Sequence, residues 1–188
     1  MEHTPSQTIG PFFHLSLTVD QAAGCLAGPE TKGERIRLAC KVLDGDALPV
    51  DDAMIELWQA DAGGRYDHPE DPRRGAHDSA FRGFGRLATN AEGACIFESV
   101  KPGRVPASDG ALQAPHINVG LFARGLLKRA VTRIYFSGNP ANQSDPVLAL
   151  VPENRRDTLM ARPDAGDAAR WSFDIHLCGE RETVFFDL

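Results

Sequence analysis

The sequence predicts an all-β protein, a single-domain β-sandwich with little helix. Three observations lead there. Thirteen prolines and eighteen glycines among 188 residues cut the chain into short segments. Several of those segments alternate apolar and polar side chains with period two, the mark of a strand with one buried face. About seven such segments are separated by turn signals such as Asp-Gly, which is the strand count of a sandwich or barrel. A hydrophobic content of 42% and a length of 188 residues suffice for one buried core.

The first element is not a strand. In "TPSQTIGPFFHLSL" (4–17), Pro5 and Gly10-Pro11 prevent regular structure, yet Phe12, Phe13 and Leu15 are too apolar for a solvated tail. Residues 1–18 are therefore expected to form an extended arm laid against a surface, of this domain or of a partner chain. Residues 19–188 form the sandwich. Its clearest strand is "RIRLACKV" (35–42), where Ile36, Leu38, Cys40 and Val42 alternate with polar or small neighbours. The turn "DGDALP" leads into a second strand, "AMIELWQAD" (53–61). Further strands are expected at "GACIFESV" (93–100), "HINVGLFA" (116–123), "AVTRIYF" (130–136), "RWSFDIHL" (170–177) and "TVFFDL" (183–188). A helical patch lies at "SDPVLALVPENRRDTLMA" (144–161), with Ser144 as its cap and Pro152 breaking it in two.

Composition narrows the function. A net charge of −6, with no Lys/Arg block, argues against a nucleic-acid partner, because phosphate neutralisation needs a basic face. The opening "MEHTPSQTIG" has neither the basic nor the apolar region of a signal peptide. No apolar run approaches the roughly 20 residues that span a bilayer. Cys25, Cys40, Cys95 and Cys178 form no Cys-x-x-Cys pair, which speaks against a zinc or redox motif. A reduced, cytoplasmic setting is the simplest expectation, with Cys40 in the core.

Catalytic motifs are scarce. The chain has no Gly-x-Ser-x-Gly elbow and no glycine-rich phosphate loop. Asp51 and Asp52 sit in a turn, where solvated charge is the usual reason. His3, His68 and His77 lie in polar surroundings and read as surface residues, while His176, alternating with Asp174, reads as a hydrogen-bonded structural residue. One stretch stands apart. In "QAPHINVGLFARG" (113–125), strand geometry puts His116 and Asn118 on one face. A His-x-His pair there would clamp a metal; here the second position is asparagine. Arg124 shares that face, but eight residues at ~3.3 Å each place it roughly 26 Å from His116 along a straight strand, so it cannot serve the same pocket. Tyr66 follows in a glycine-loosened loop, "WQADAGGRYDH" (58–68), and is unremarkable by itself.

Taken together, "TPSQTIGPFF", "IELWQADAGGRY", "KPG", "FARG", "TRIYF" and "GERETVFFDL" resemble the intradiol aromatic-ring dioxygenases, in order and at near-family spacing along nearly the whole chain. The resemblance implies a sandwich fold and a set of sites. Catalytic chains of that family hold a non-haem Fe(III) with two tyrosines and two histidines, and carry an arginine three residues before the first histidine. The matching positions here are Tyr66, Val105, His116 and Asn118, with Gln113 in the arginine's place. Valine has no donor atom, and a neutral amide is a poor substitute for imidazole on Fe(III). The resemblance thus implies a vestigial metal site, with no metal on this chain and no catalysis by it alone.

Within the family this pattern resembles the iron-free α chain of the two-chain enzymes that cleave protocatechuate with O2 to 3-carboxy-cis,cis-muconate in aromatic catabolism. Such a chain works with an obligate homologous β subunit that carries the Fe(III), in a higher αβ oligomer. Its own contribution to the partner's substrate pocket maps to Thr8, Gly10, Pro11 and Arg124. Two other readings stay open: a free-standing β-sandwich binding module, and a self-sufficient metalloenzyme that recruits His176 or His68 as replacement ligands.

Overall fold

The computed structural model describes residues 16–71, 73, 77–107 and 110–187. Most of the expected arm, Thr8, Gly10 and Pro11 included, lies outside the described residues. Ten strands form in the rest: β1 (Arg35–Leu43), β2 (Met54–Trp58), β3 (Phe84–Ala88), β4 (Ala94–Val100), β5 (Val105–Pro106), β6 (Leu112–Gln113), β7 (His116–Phe122), β8 (Ala130–Phe136), β9 (Met160–Pro163) and β10 (Arg170–His176). Eight of them make one continuous sheet in the order β3-β2-β7-β8-β9-β10-β1-β4, while β5 and β6 pair only with each other.

The sheet closes on itself as a sandwich because of β9. This short strand pairs with β8 through Met160 and Ala161, and with β10 through Arg162 and Pro163. It is the hinge between two halves, β3-β2-β7-β8 and β10-β1-β4. Period-two alternation does the packing: Ile36, Leu38, Cys40 and Val42 of β1 are buried while Arg35 and Arg37 are exposed. They meet Phe97, Phe173 and Ile175 from their own half and Ile55, Leu57, Ile117, Val119, Leu121, Ile134 and Phe136 from the other, in one apolar cluster. A smaller cluster of Ala114, Tyr135, Leu148, Val151 and Leu159 covers the outer side of β7 and β8 near their junction with the loops.

Two sequence expectations are corrected. The tail 183–187 is not a strand. It runs beside the sheet with isolated bonds, Thr183 N to the His176 carbonyl and Phe186 N to the Val131 carbonyl, rather than a ladder. The patch at 144–161 is helical on either side of Pro152, as the break there implies, but as short 3-10 helices, Leu148–Leu150 and Glu153–Leu159, rather than α-helix. Pro146 and Pro152 prevent the continuous turn-on-turn bonding a helix needs. Ser144 does not cap it; the side chain that takes up backbone N–H groups there is Asp145, whose Oδ1 accepts from Val147 and Leu148. No described helix is long and apolar enough to cross a membrane.

Candidate functional site

Two glycine loops and three strands converge at one end of the β3-β2-β7-β8 half. Beyond β2 the chain turns sharply, and the turn is built on Asp61, a buried carboxylate. Its Oδ1 accepts from Arg65 N and its Oδ2 from Asp78 N, at 2.9 and 2.8 Å. The Asp61 carbonyl takes the N–H groups of Gly64 and Gly103, each at 2.9 Å, so the "AGGRY" and "KPG" loops are tied to a single acceptor. They touch backbone to backbone. A Cβ at Gly64, whose φ is +75°, would lie 2.0 Å from the Arg104 carbonyl oxygen, and one at Gly103 would lie 2.4 Å from Gly64 N. Only glycine fits either place.

This contact sets Tyr66 beside Val105. The register sets the rest. Trp58 of β2 and Arg133 of β8 both pair with Asn118 of β7, making a row of three side chains on one face. The next row pairs His116 with Tyr135. Val105 pairs with Gln113 in the β5-β6 hairpin. All five positions read from "GRY", "KPG" and "QAPHIN" therefore come together: Tyr66, Val105, Gln113, His116 and Asn118.

Their contacts are specific. Tyr66 stacks on Trp58 with ring centroids 5.6 Å apart and planes 10° from parallel, and His68 meets Trp58 edge-on. The Asn118 Nδ2 donates to the Trp58 carbonyl at 3.3 Å and to the Tyr66 hydroxyl at 3.5 Å. His116 is buried, its Nδ1 2.8 Å from the Ala114 carbonyl oxygen. Behind it, Asp145 anchors the strand: Oδ2 accepts from Ala114 N at 2.7 Å and Oδ1 from the Tyr135 hydroxyl at 3.1 Å.

One residue at the centre escaped the sequence reading. Arg133, half-buried, donates from Nη1 to the Gln113 Oε1 at 2.7 Å, and no described carboxylate pairs with it. Its charge reaches both remaining titratable groups. Burial, with Arg133 as a second cause, pushes the His116 imidazole down to about 4. Burial raises the Tyr66 phenol above its ordinary value, outweighing Arg133 and the Asn118 hydrogen bond, which act the other way. At neutral pH the site holds a neutral imidazole, a neutral phenol and a fixed guanidinium. The only sequence signal for Arg133 was a charged residue on the partly buried face of "AVTRIYF".

Trp58, Tyr66, His68, Glu70, Asp71, Arg73, Val105, Pro106 and Ala107 enclose an open cleft of about 550 Å³, a size suited to a small organic ligand. Asp71 is neutralised within the wall, accepting from the N–H groups of Tyr66 and Arg73 and from the Arg73 guanidinium. His68, expected at the surface, is exposed and lines this cleft. His77 is half-buried against Asp67 at 3.4 Å. His176 is a correction: its Nε2 is buried without a hydrogen-bond partner, and it is the backbone that is engaged, its N–H by the Thr183 hydroxyl and its carbonyl by the Thr183 N–H. It lies on β10, in a different cleft with Arg155 and Asp174, so it does not join Tyr66 and His116.

Arg124 lies in the turn just beyond β7, where strand parity no longer applies, with its side chain 85% exposed. Its Nε meets the Asp52 Oδ2 at 3.1 Å, so Asp52 is paired rather than merely solvated. It is absent from the lining of the Trp58–Val105 cleft.

A β-sandwich with an aromatic-walled cleft where two glycine loops meet the sheet end is a small-molecule site on a rigid frame. Comparison with known proteins gives it a family. A family model described as Dioxygenase matches residues 9–179. The chain is 41% identical to the protocatechuate 3,4-dioxygenase alpha chain of Burkholderia cepacia, over 100% of this chain and 98% of that one. It is 36% identical to the protocatechuate 3,4-dioxygenase beta chain of the same organism, over 95% of this chain and 77% of that one. In fold it matches the dioxygenase domain of a dioxygenase–carbohydrate-binding protein fusion from Streptomyces sp. SirexAA-E, with a TM-score of 0.63 at 24% identity, over 97% of this chain and 100% of that one. The chain belongs to the intradiol ring-cleavage dioxygenase family.

The ferric ion that this family implies does not suit the residues present. Val105 has no donor, Asn118 offers only a neutral amide whose nitrogen faces Tyr66, and Arg133 adds a positive charge that acts on both Tyr66 and His116. Among the described residues no cluster of three His, Cys, Asp or Glu side chains is arranged to hold a metal.

Proposed function

We propose that this chain is the α-type subunit of a protocatechuate 3,4-dioxygenase, working with a homologous β chain that carries the Fe(III). One observation carries the reading: a chain alignable end to end with an alpha chain has Val105 and Asn118 at two of the four positions where a metal would need donors, with the Arg133 charge acting on the other two. The complex cleaves protocatechuate between its two hydroxylated carbons, inserting both atoms of O2 to give 3-carboxy-cis,cis-muconate. This chain shapes the pocket, excludes water and holds the β chain in an αβ oligomer, in the cytoplasm.

Thr8, Gly10, Pro11 and Arg124 are its contribution to the partner's pocket. For Arg124 the support is its exposure: the guanidinium leans on Asp52 yet keeps most of its surface free, suited to steering an aromatic carboxylate in a neighbouring site. The test is co-expression with and without a β-type chain. Alone, this chain is expected to be colourless, iron-poor and inactive; an iron-replete, active lone chain overturns the proposal. In the complex, Arg124→Ala should raise KM for protocatechuate roughly tenfold, about the loss of one charge-assisted contact, with iron content unchanged. Unaltered kinetics would reduce Arg124 to a surface ion pair.

A further inference from the structure

We propose that the cavity between the 3-10 helix Glu153–Leu159, the outer face of β10 and the 179–182 turn binds a small oxyanion of the size and charge of inorganic phosphate. The cavity lies where β9 and β10 meet and shares no lining residue with the Trp58–Val105 cleft.

Its walls are set by local structure. Along β10, Phe173 and Ile175 enter the core, so Ser172, Asp174 and His176 share the opposite face. The 3-10 helix places Arg155 beside that face, and Arg155 Nη2 donates to the Glu182 carbonyl at 2.7 Å, tying the helix to the turn. The space enclosed is about 280 Å³, room enough for a tetrahedral oxyanion.

Charge decides what fits. Arg155, Arg162, Arg181 and His176 line the cavity, together with the carboxylates of Asp157, Asp174 and Glu180. Arg162 and Asp157 are spent on each other, the Arg162 Nη2 reaching Asp157 Oδ1 at 2.7 Å and Oδ2 at 2.6 Å. Asp174 is exposed and sits in register with Lys41 of β1, and the consecutive, exposed Glu180 and Arg181 offset one another. Arg155 is left over. It is half-buried, its Nη2 serves a neutral carbonyl, and no described carboxylate forms an ion pair with it.

Unmet hydrogen bonding agrees. His176 is 8% exposed and its Nε2 has no partner; the Arg155 Nε is likewise buried and unpartnered. A guanidinium N–H can only donate, so what Arg155 lacks is an acceptor, and a buried polar group left without one costs free energy. An oxyanion offers several acceptors at once, one for the guanidinium and one for the imidazole in its Nε2–H tautomer. Both nitrogens lie beneath the cavity surface, so uptake turns the two side chains toward the ligand about their own torsions.

The consequence for the fold follows from the neighbouring bonds. Thr158 Oγ1 accepts from Val184 N, and the His176 backbone exchanges two hydrogen bonds with Thr183. Residues 182–184 are thus held by the two elements that the anion joins. A ligand taken up only by the folded chain stabilises it by mass action. No bond is made or broken.

The experiment titrates inorganic phosphate into the full-length protein in its native assembly, with chloride at matched ionic strength as control, and counts equivalents bound per chain by equilibrium dialysis. Arg155→Gln removes the charge while keeping a donor for the Glu182 carbonyl, and His176→Leu removes the imidazole alone. The wild type is expected to bind one more phosphate per chain than Arg155→Gln, and its urea midpoint should rise with phosphate but not with chloride. His176→Leu should weaken that additional site roughly tenfold, about the loss of one charge-assisted contact. Equal stoichiometry in wild type and Arg155→Gln overturns the proposal, including the case in which neither binds. An equal response to chloride overturns it too, since that is ionic screening. Should Arg155→Gln fail to fold, the His176→Leu titration decides alone: unchanged phosphate affinity there overturns the site.

Discussion

Arg133 shows how much one residue can decide. Restoring donors at Val105 and Asn118 looks sufficient to rebuild a metal site around Tyr66 and His116, but the guanidinium would remain beside it. A trivalent cation is repelled by that charge three times as strongly as a univalent one. The Val105→Tyr/Asn118→His double variant is therefore expected to stay colourless after incubation with iron. Adding Arg133→Gln should allow iron uptake, visible as a tyrosinate-to-Fe(III) absorption band and countable by metal analysis. A coloured double variant would show that Arg133 is no barrier. His116 gives a second residue-scale outcome. Burial first, and Arg133 second, hold its imidazole at about 4 against an ordinary 6.5. The folded state therefore keeps His116 neutral while the unfolded chain protonates it near 6.5. Its contribution to stability is complete above that value and is lost as pH falls through about 4. The loss amounts to at most roughly 3 kcal/mol. Urea midpoints measured from pH 7 to pH 4 should fall less steeply in His116→Gln than in the wild type, and parallel slopes would contradict the assignment.

At the scale of elements, the site depends on two loops that approach more closely than any side chain permits. Gly64 and Gly103 share the Asp61 carbonyl, and their backbones lie in direct contact. The positive φ at Gly64 adds a conformational cost of about 1–2 kcal/mol for any other residue. Gly103 carries no such φ, so Gly103→Ala isolates the steric effect. The added methyl would meet Gly64 N, the Ala62 carbonyl oxygen and the Gly63 carbonyl carbon, all backbone atoms that cannot rotate away. The loops must separate, carrying Tyr66 away from Val105. Gly103→Ala is expected to lower stability by about 2–3 kcal/mol, in the range of core overpacking, and to shift the near-ultraviolet signal of Trp58 by disturbing its stack with Tyr66. A stable variant with an unaltered spectrum would mean the two loops move independently. In sequence these glycines are recognisable as turn residues, but the contact between "AGGRY" and "KPG" is not, since it joins segments some forty residues apart.

Over the whole molecule, what the sequence disclosed follows from how local each cause is. Strands such as β1, β7, β8 and β10 were legible because burial on one face imposes a two-residue period within the strand itself. β9 was not, because Met160–Pro163 is four residues long and exists only through partners at Tyr135, Phe136, Trp171 and Ser172. The site was legible at Tyr66, Val105, Gln113, His116 and Asn118 through family spacing, and silent at Arg133, whose place beside Asn118 comes from cross-strand register. The tail was half legible. Its apolar alternation is real, and "TVFFDL" reads as a strand on that pattern. In place of a ladder, its side chains divide between the two clusters: Phe185 packs on the main core, while Val184 and Phe186 pack on the smaller one. The tail thus pins both hydrophobic clusters of the same chain. Removing residues 183–188 takes away three partly buried apolar side chains and uncovers the clusters they pack on, at roughly 1–2 kcal/mol for each when burial is incomplete. A loss of roughly 3–6 kcal/mol is a large share of the 5–15 kcal/mol typical of a domain. The shortened chain should unfold at a far lower urea midpoint or fail to fold cooperatively, whether or not a partner chain is present. If its midpoint is unchanged alone and only assembly is lost, the tail belongs to an interface after all.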